Sequence, residues 1–405
     1  MPREETPRYG LRRLVAGLSV GIILLVGGGV PLAIVAPVPR AAAEVSPEIV
    51  RTTAAAKAAL PEFGSSAVGA VGMEGVLAAS GPQTPRQLAS ITKIVTALVV
   101  LDAKPLAAGE DGPTIVLGQR DVDILASVIA ANGSWEPVQV GWKTSERAAI
   151  ETMLIPSANN YAESLAIWAY GSVPKYLAAA KAYLAAKGLT GITVVDTNGL
   201  SAADRGTPAD LVELGRLALA SPVIATAVGK RTATEPNVGE LDNTNLLLGR
   251  FGIDGLKTGT YDTGANLLFS AEVEVGERRV HLVGVILGAK DHPTLDARVI
   301  PLLKSVQRGL HDLPLATAGQ SFGTYRTRWG GIGRAVAATD VSRLVWGRAT
   351  LTREARIESI TGGRKGERVG TVQYVVNGSP VSVPLVLDRD VLAAPIWWRL
   401  THPIR

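Results

Sequence analysis

Ala89-Ser90-Ile91-Thr92-Lys93-Ile94-Val95-Thr96 is the stretch on which the reading of this chain turns. Its serine and lysine stand three residues apart, and the run continues with apolar Ala97-Leu98-Val99-Val100. The pattern predicts a helix that starts at Ser90, with Ser90 as its cap and Ile91, Ile94, Val95, Leu98 and Val99 toward a core. On such a helix Ser90 and Lys93 share a face within hydrogen-bonding reach. A serine hydroxyl is a poor nucleophile until a neighbouring base takes its proton, and an ammonium cannot be that base. Burial among apolar neighbours favours the neutral amine, and a second cation nearby pushes the same way.

Four residues match a pattern easily: Ser172-Val173-Pro174-Lys175 has the same spacing. Two further motifs downstream single out the match at Ser90. Ser157-Ala158-Asn159 and Lys257-Thr258-Gly259 each occur once, in that order and at domain-scale separations. Pro156 stops a helix just before Ser157, and such a connection can point two polar side chains into a cleft. Ser157 is suited to relaying a proton, and Asn159 offers both a donor and an acceptor to a substrate amide. On an opposite wall, Lys257 supplies charge and Thr258 a hydroxyl for a carboxylate, while Gly259 lets backbone approach closely. The backbone N–H groups of Thr260 and Ser90 are candidates for an oxyanion hole. Separately these are a capping serine, a helix cap and a hairpin-entry turn; together they make a serine acyl-transfer site without histidine.

Composition narrows the alternatives. At 405 residues there is room for two or three domains and a large core. The balance of 41 basic against 36 acidic side chains, +5, is too mild to argue for nucleic acid, and no basic run interleaves with aromatics. With no cysteine, disulfides, thiolate zinc sites and a cysteine nucleophile are excluded. The four histidines, His281, His292, His311 and His402, lack metal-ligand spacing, so neither metal nor cofactor is expected.

Residues 1–45 read as an export segment. Arg3, Arg8, Arg12 and Arg13 precede an apolar stretch from Leu14 to about Ala36, and small residues Ala41-Ala42-Ala43 come next. The stretch is longer than a signal core and of bilayer-spanning length, so it is either a cleaved signal or an N-terminal membrane anchor. Both put the remainder outside the cytoplasmic membrane. Residues 37 to about 65 read as a linker with some helix between Val50 and Leu60, and Ala67 to Ala79 as a strand. Helices are expected at Ser145–Leu154, Asn160–Trp168, from Pro208 with Thr207 as cap, and at Leu302–Leu310. Leu267–Val275 and Val280–Leu287 read as an antiparallel hairpin, with Lys257-Thr258-Gly259 just before it near a sheet edge. Beyond Leu313 the texture is β-rich, with Asn377-Gly378-Ser379-Pro380 as a turn between strands and a final Trp397-Trp398-Arg399.

On these motifs the chain resembles the low-molecular-mass penicillin-binding proteins, specifically the D-alanyl-D-alanine carboxypeptidases. Ala89 to Thr96, Leu154 to Asn160, Asp196-Thr197-Asn198-Gly199-Leu200 and Gly255 to Thr260 all look like that family, over about Ser46 to Asp312. The resemblance implies an α+β fold of the β-lactamase/transpeptidase-like type: a five-stranded antiparallel sheet flanked by helices, with a helical subdomain. The domains implied are 1–45, a catalytic 46–312, and a small C-terminal β domain at 313–405. It implies Ser90 as acylated nucleophile, Lys93 as base and Ser157 as relay. Asn159, Lys257, Thr258, Gly259 and Thr260 would contact substrate. The partners implied are peptidoglycan stem peptides and, as covalent inhibitors, β-lactams. Two departures stand out. Ala158 replaces the aspartate or glycine of many relatives. Thr244, within Asn243-Thr244-Asn245, occupies a stretch that often holds an arginine, which shifts carboxylate recognition to Thr258 or Arg250. A class A β-lactamase is the rival, but the one Glu-x-x-Asn match after the second motif, Glu240 to Asn243, lies close to Lys257 rather than to Asn159. A non-catalytic wall-binding scaffold is the other.

Overall fold

The structure, a computed structural model, describes residues 9–24, 27 and 34–402. They form two compact units: residues 55–312, and residues before 55 together with those from 313 onward. All three motifs lie in the first.

That unit is built on strands β1 (Ser65–Ala70), β2 (Ala78–Ser80), β3 (Ile253–Tyr261), β4 (Gly264–Val275) and β5 (Arg278–Ala289), in the antiparallel order β3-β4-β5-β1-β2. The β4–β5 hairpin pairs Val275 with Arg278 and Phe269 with Gly284. Its strands read as near-continuous apolar runs because both faces are covered, as expected of strands buried on two sides. Helix α5 (Pro208–Ala220) packs on β5 and β1, and α6 (His292–Gly309) packs on β4 and β5. Leu256, Leu268, Val283 and Val285 join a core shared with α1 (Thr92–Ala103), α2 (Glu146–Leu154), α3 (Asn159–Tyr170) and α4 (Val173–Ala186). Every residue of α1 from Thr92 to Val100 is buried, so this stretch has no solvent face. Ser145 and Thr207 cap α2 and α5 through bonds to the N–H groups of Ala148 and Asp210.

Three expectations need correction. Ser90 does not cap a helix. It lies in a 3₁₀ turn, Ala89–Ile91, and α1 begins at Thr92 with no side-chain cap. Residues 50–60 are not helical: the largely β-branched Ile49–Thr52 pairs as a strand with Thr350–Arg353, and the Ala/Lys run that follows takes no regular structure. The Ala67–Ala79 segment is two strands, β1 and β2, joined by a turn with left-handed Gly72 and Gly75. The third motif lies on β3, the edge strand just before the β4–β5 hairpin, as expected.

In the other unit a seven-stranded sheet runs in the order Ala43–Val45, Ser321–Arg326, Ile332–Ala337, Ser379–Leu387, Arg368–Val376, Thr350–Ile357, Ile49–Thr52. The two strands before residue 55 thus supply both edges of a sheet whose body comes from the C-terminal end. Of the closing aromatic pair, Trp398 is buried against Trp329 and stacks on His402, while Trp397 is 62% exposed. A helix spans Tyr9–Leu24. Arg3, Arg8 and the stretches 25–26 and 28–33 of the expected export segment lie outside the described residues. No single helix among the described residues is long and apolar enough to cross a membrane.

Gly215 sets how closely α5 lies on the sheet. A Cβ there would fall 2.5 Å from Val283 Cγ1 and 3.0 Å from Leu256 Cδ1. Alanine gains about 1 kcal/mol of helix propensity over glycine, but overpacking a filled core costs about 1–3 kcal/mol. Gly215→Ala is therefore expected to lower the thermal midpoint, read by circular dichroism; a raised midpoint would contradict this packing.

Candidate active site

The nucleophile candidate sits where three segments converge. Gly259 on β3 comes so close to the Ser90 turn that a Cβ would lie 2.7 Å from the Leu88 carbonyl oxygen. From the other side a Cβ on Gly199 (φ +88°) would collide with the Ala89 carbonyl and lie 3.0 Å from the Ser90 nitrogen. Glycine at both positions lets backbone press against the turn. Asn266 on β4 clamps the same segment: its Nδ2 donates to the Gln87 carbonyl at 2.8 Å while its Oδ1 accepts from Gly288 N. Two non-glycine residues take left-handed backbone here, Ala89 (φ +49°) and Ser157 (φ +72°). Such strain persists only where surrounding structure over-determines it, and it gathers at functional sites.

Lys93 is fully buried, with Nζ 2.8 Å from Ser90 Oγ and donating to the Asn198 carbonyl at 3.0 Å. Burial, then the charge of Lys257, holds the Lys93 amine well below the usual lysine range; Asp196 and Asp204 pull weakly the other way. A neutral amine has a lone pair to accept the serine proton, so the pair has the geometry and protonation that base catalysis requires.

On β3, Lys257 is also buried, and burial brings its amine down to about 7. Its Nζ donates to the hydroxyls of Thr244 and Thr258, each at 3.4 Å, and those hydroxyls bond each other at 2.6 Å. Thr244 thus completes a hydroxyl–ammonium cluster in the stretch that lacks the expected arginine. Arg250 is exposed in the turn before β3, with Asp296 as its acidic neighbour.

The second motif is tied to this frame through backbone. The Asn159 N–H donates to the Ser134 carbonyl, and the Thr244 N–H to the Ile155 carbonyl. A Cβ on Gly133 would lie 2.5 Å from Asn159 Nδ2 and 3.3 Å from Leu200 Cδ2, so the amide lies beside the loop that meets Lys93. Asn159 Oδ1 is buried with no hydrogen-bond partner among the described residues. An unpaired buried acceptor is unfavourable by about 1–3 kcal/mol unless a ligand satisfies it.

Sequence reasoning misses Asn266, Thr244 as a positive contributor, and His292, whose Nε2 lies 2.8 Å from Thr260 Oγ1. Asn266 and Thr244 carry no signal in a single chain, since a strand asparagine and a loop threonine are ordinary. His292 stands out in the sequence only for lacking metal spacing.

A helix-flanked antiparallel sheet with a half-buried serine against a buried lysine at its edge is the arrangement of the penicillin-binding serine peptidases, enzymes that hydrolyse through an acyl-serine. Within that class, the chain belongs to the D-alanyl-D-alanine carboxypeptidase family, whose model matches residues 66–291, more than half its length. Among curated proteins it is 27% identical over 262 residues to the D-alanyl-D-alanine carboxypeptidase DacD of Salmonella typhimurium, covering 63% of this chain and 65% of that protein. It is 26% identical over 330 residues to DacC of Escherichia coli, covering 78% and 81%. Among solved structures it is similar to penicillin binding protein 6B of Escherichia coli, with TM-score 0.60 and 21% identity over 81% of this chain and 96% of the other. A mutant of the Streptomyces K15 DD-transpeptidase matches with TM-score 0.53 and 24% identity, over 60% of this chain and 96% of the other.

The two lysines set opposite limbs of a pH profile. Acylation needs Lys93 unprotonated, so the rate rises with pH through the depressed Lys93 pKa. A cationic Lys257 favours an anionic substrate, so kcat/KM falls as pH passes about 7 and that amine loses its proton. Lys257→Gln removes a charge that depresses Lys93. The acidic limb is then expected to move to higher pH. Rates of penicillin acylation measured against pH check this; an unmoved limb would show that the two amines do not sense each other.

Proposed function

We propose that this chain is a serine-type D-alanyl-D-alanine carboxypeptidase that removes the terminal D-alanine of peptidoglycan pentapeptide stems through an acyl-Ser90 intermediate. The observation that carries the reading is the 2.8 Å approach of a buried, uncharged-leaning Lys93 amine to the Ser90 hydroxyl. Lys93 takes the Oγ proton as Oγ bonds the carbonyl carbon of the penultimate residue. The oxyanion is stabilised by the N–H groups of Ser90 and Thr260. The C–N bond then breaks, and the proton passes by way of Ser157 to the leaving D-alanine amine. Water, deprotonated by the same lysine, releases the shortened stem and restores Ser90. Asn159 holds the stem amide, and Lys257 with Thr258 takes the terminal carboxylate, Gly259 leaving room for the extended peptide. A β-lactam acylates Ser90 in the same way.

In this reading the N-terminal segment acts as signal or membrane anchor, residues 55–312 as the catalytic domain, and residues 313–405, joined by strands Ala43–Val45 and Ile49–Thr52, as a β-rich accessory domain. The enzyme works in the cell envelope, outside the cytoplasmic membrane. A second reading, cleavage of stem cross-links, is favoured by one relative: the D-alanyl-D-alanine endopeptidase of Escherichia coli is 26% identical over 202 residues, covering 49% of this chain and 61% of that protein.

Incubation with a synthetic pentapeptide ending in two D-alanines, followed by mass spectrometry, is expected to show loss of one alanine. Ser90→Ala should abolish both this and labelling by fluorescent penicillin, a fall of at least about a thousand-fold on the scale of losing a nucleophile. An intact pentapeptide beside a cleaved cross-linked dimer would favour the second reading. Labelling that persists in the variant would remove Ser90 from the mechanism.

A further inference from the structure

We propose that Asp196 and Asp204, which lie outside all three motifs, are positioning residues that hold Lys93 on Ser90. This deepens the acyl-Ser90 reading and rests on it.

The geometry is a brace between α1 and the 195–204 loop. Three side chains of α1 reach that loop: Thr92 Oγ1 donates to Asp204 Oδ2 at 3.0 Å, Lys93 Nζ to the Asn198 carbonyl at 3.0 Å, and Thr96 Oγ1 to the Thr197 carbonyl at 2.6 Å. The loop is itself folded around the two carboxyl groups. Asp196 Oδ1 accepts from the N–H groups of Asn198 (2.8 Å) and Gly199 (2.6 Å), and its Oδ2 from Ser201 (2.7 Å). Asp204 Oδ1 accepts from Val195 N at 2.6 Å, and its backbone carbonyl takes the Leu88 N–H at 2.9 Å, two residues before the nucleophile. Asp196 thereby aims the Asn198 carbonyl at Lys93 and seats Gly199 against the Ser90 turn. Asp204 ties that loop to the residue next to Lys93.

Burial and the neighbouring Asp196 push Asp204 up to about 7. The charged groups facing Lys93 are Lys257 from β3 and these two aspartates from the loop. Tyr176 of α4 and Glu163 of α3 also feel the pair, and both are held above their usual ranges chiefly by burial. Each negative charge on the pair makes the Lys93 proton harder to lose, whereas Lys257 opposes it.

The test is the rate of penicillin acylation against pH for the whole chain and three variants, with thermal melts as the folding control. Asp204→Asn keeps an acceptor for Val195 N and a polar link to Thr92. Its acylation rate should stay within about threefold of wild type at every pH, because the amide keeps the links to Val195 and Thr92. Asp204→Ala loses the link and should acylate at least about tenfold more slowly at every pH, as expected for a charge-assisted bond. Thr92→Val leaves both carboxyls in place and cuts only the tie to α1; about a three- to tenfold loss is expected. It decides the matter if the alanine variant fails to fold. An Asp204→Asn variant as slow as Asp204→Ala, or wild-type rates in Thr92→Val, overturns the proposal and leaves the acyl-Ser90 reading standing. Wild-type protein that forms no adduct at Ser90 overturns that reading instead.

Discussion

Removing the Lys93 amine from water is the constraint on which the rest of this structure depends. An exposed lysine carries its proton throughout the physiological range and has nothing to offer a serine hydroxyl. Here the amine is enclosed by a helix buried on every side, by the loop that presents the Asn198 carbonyl, and by β3 with its second buried lysine. Burial supplies most of the depression, and the Lys257 cation adds to it. The large apolar core around α1 is therefore part of the chemistry as well as of stability.

Enclosing two cations in one unit is unfavourable unless other groups compensate. The compensation is arranged by distance. Lys257 lies against two threonine hydroxyls, and Lys93 has a backbone carbonyl and a hydroxyl, with the aspartate pair close enough to be felt. Neither lysine forms a direct ion pair among the described residues. A carboxylate in direct contact would restore the proton to either amine and silence it as a base. Polar but uncharged nearest neighbours reconcile burial with reactivity.

Much of this is legible in the chain. The apolar run after Lys93 announces a buried helix, Pro156 announces the break that leaves Ser157 and Asn159 in a connection, and the 264–289 hairpin is visible from its β-rich runs. The departures share a cause. Serine favours a cap position in isolation, whereas Gly199, Gly259 and Asn266 squeeze the Ser90 segment into a 3₁₀ turn from outside. Residues 49–52 include β-branched Ile49, Val50 and Thr52, but so short a run does not announce a strand by itself, and its pairing partners lie about three hundred positions away. Local propensity cannot see a partner so distant.

What the sequence determined by itself is the set of reactive groups and their local spacing: a serine and a lysine one turn apart, a serine–asparagine pair after a helix stop, and a lysine-threonine-glycine run in β-rich surroundings. Those arise from periodicities of a few residues, which is the range over which backbone geometry is set by neighbours. Tertiary structure decided which of them meet, how dry the meeting place is, and which bystanders are recruited. Asp196, Asp204, Thr244 and Asn266 acquired their places only when distant segments closed on one another, because protonation and hydrogen-bond satisfaction depend on the whole surrounding shell.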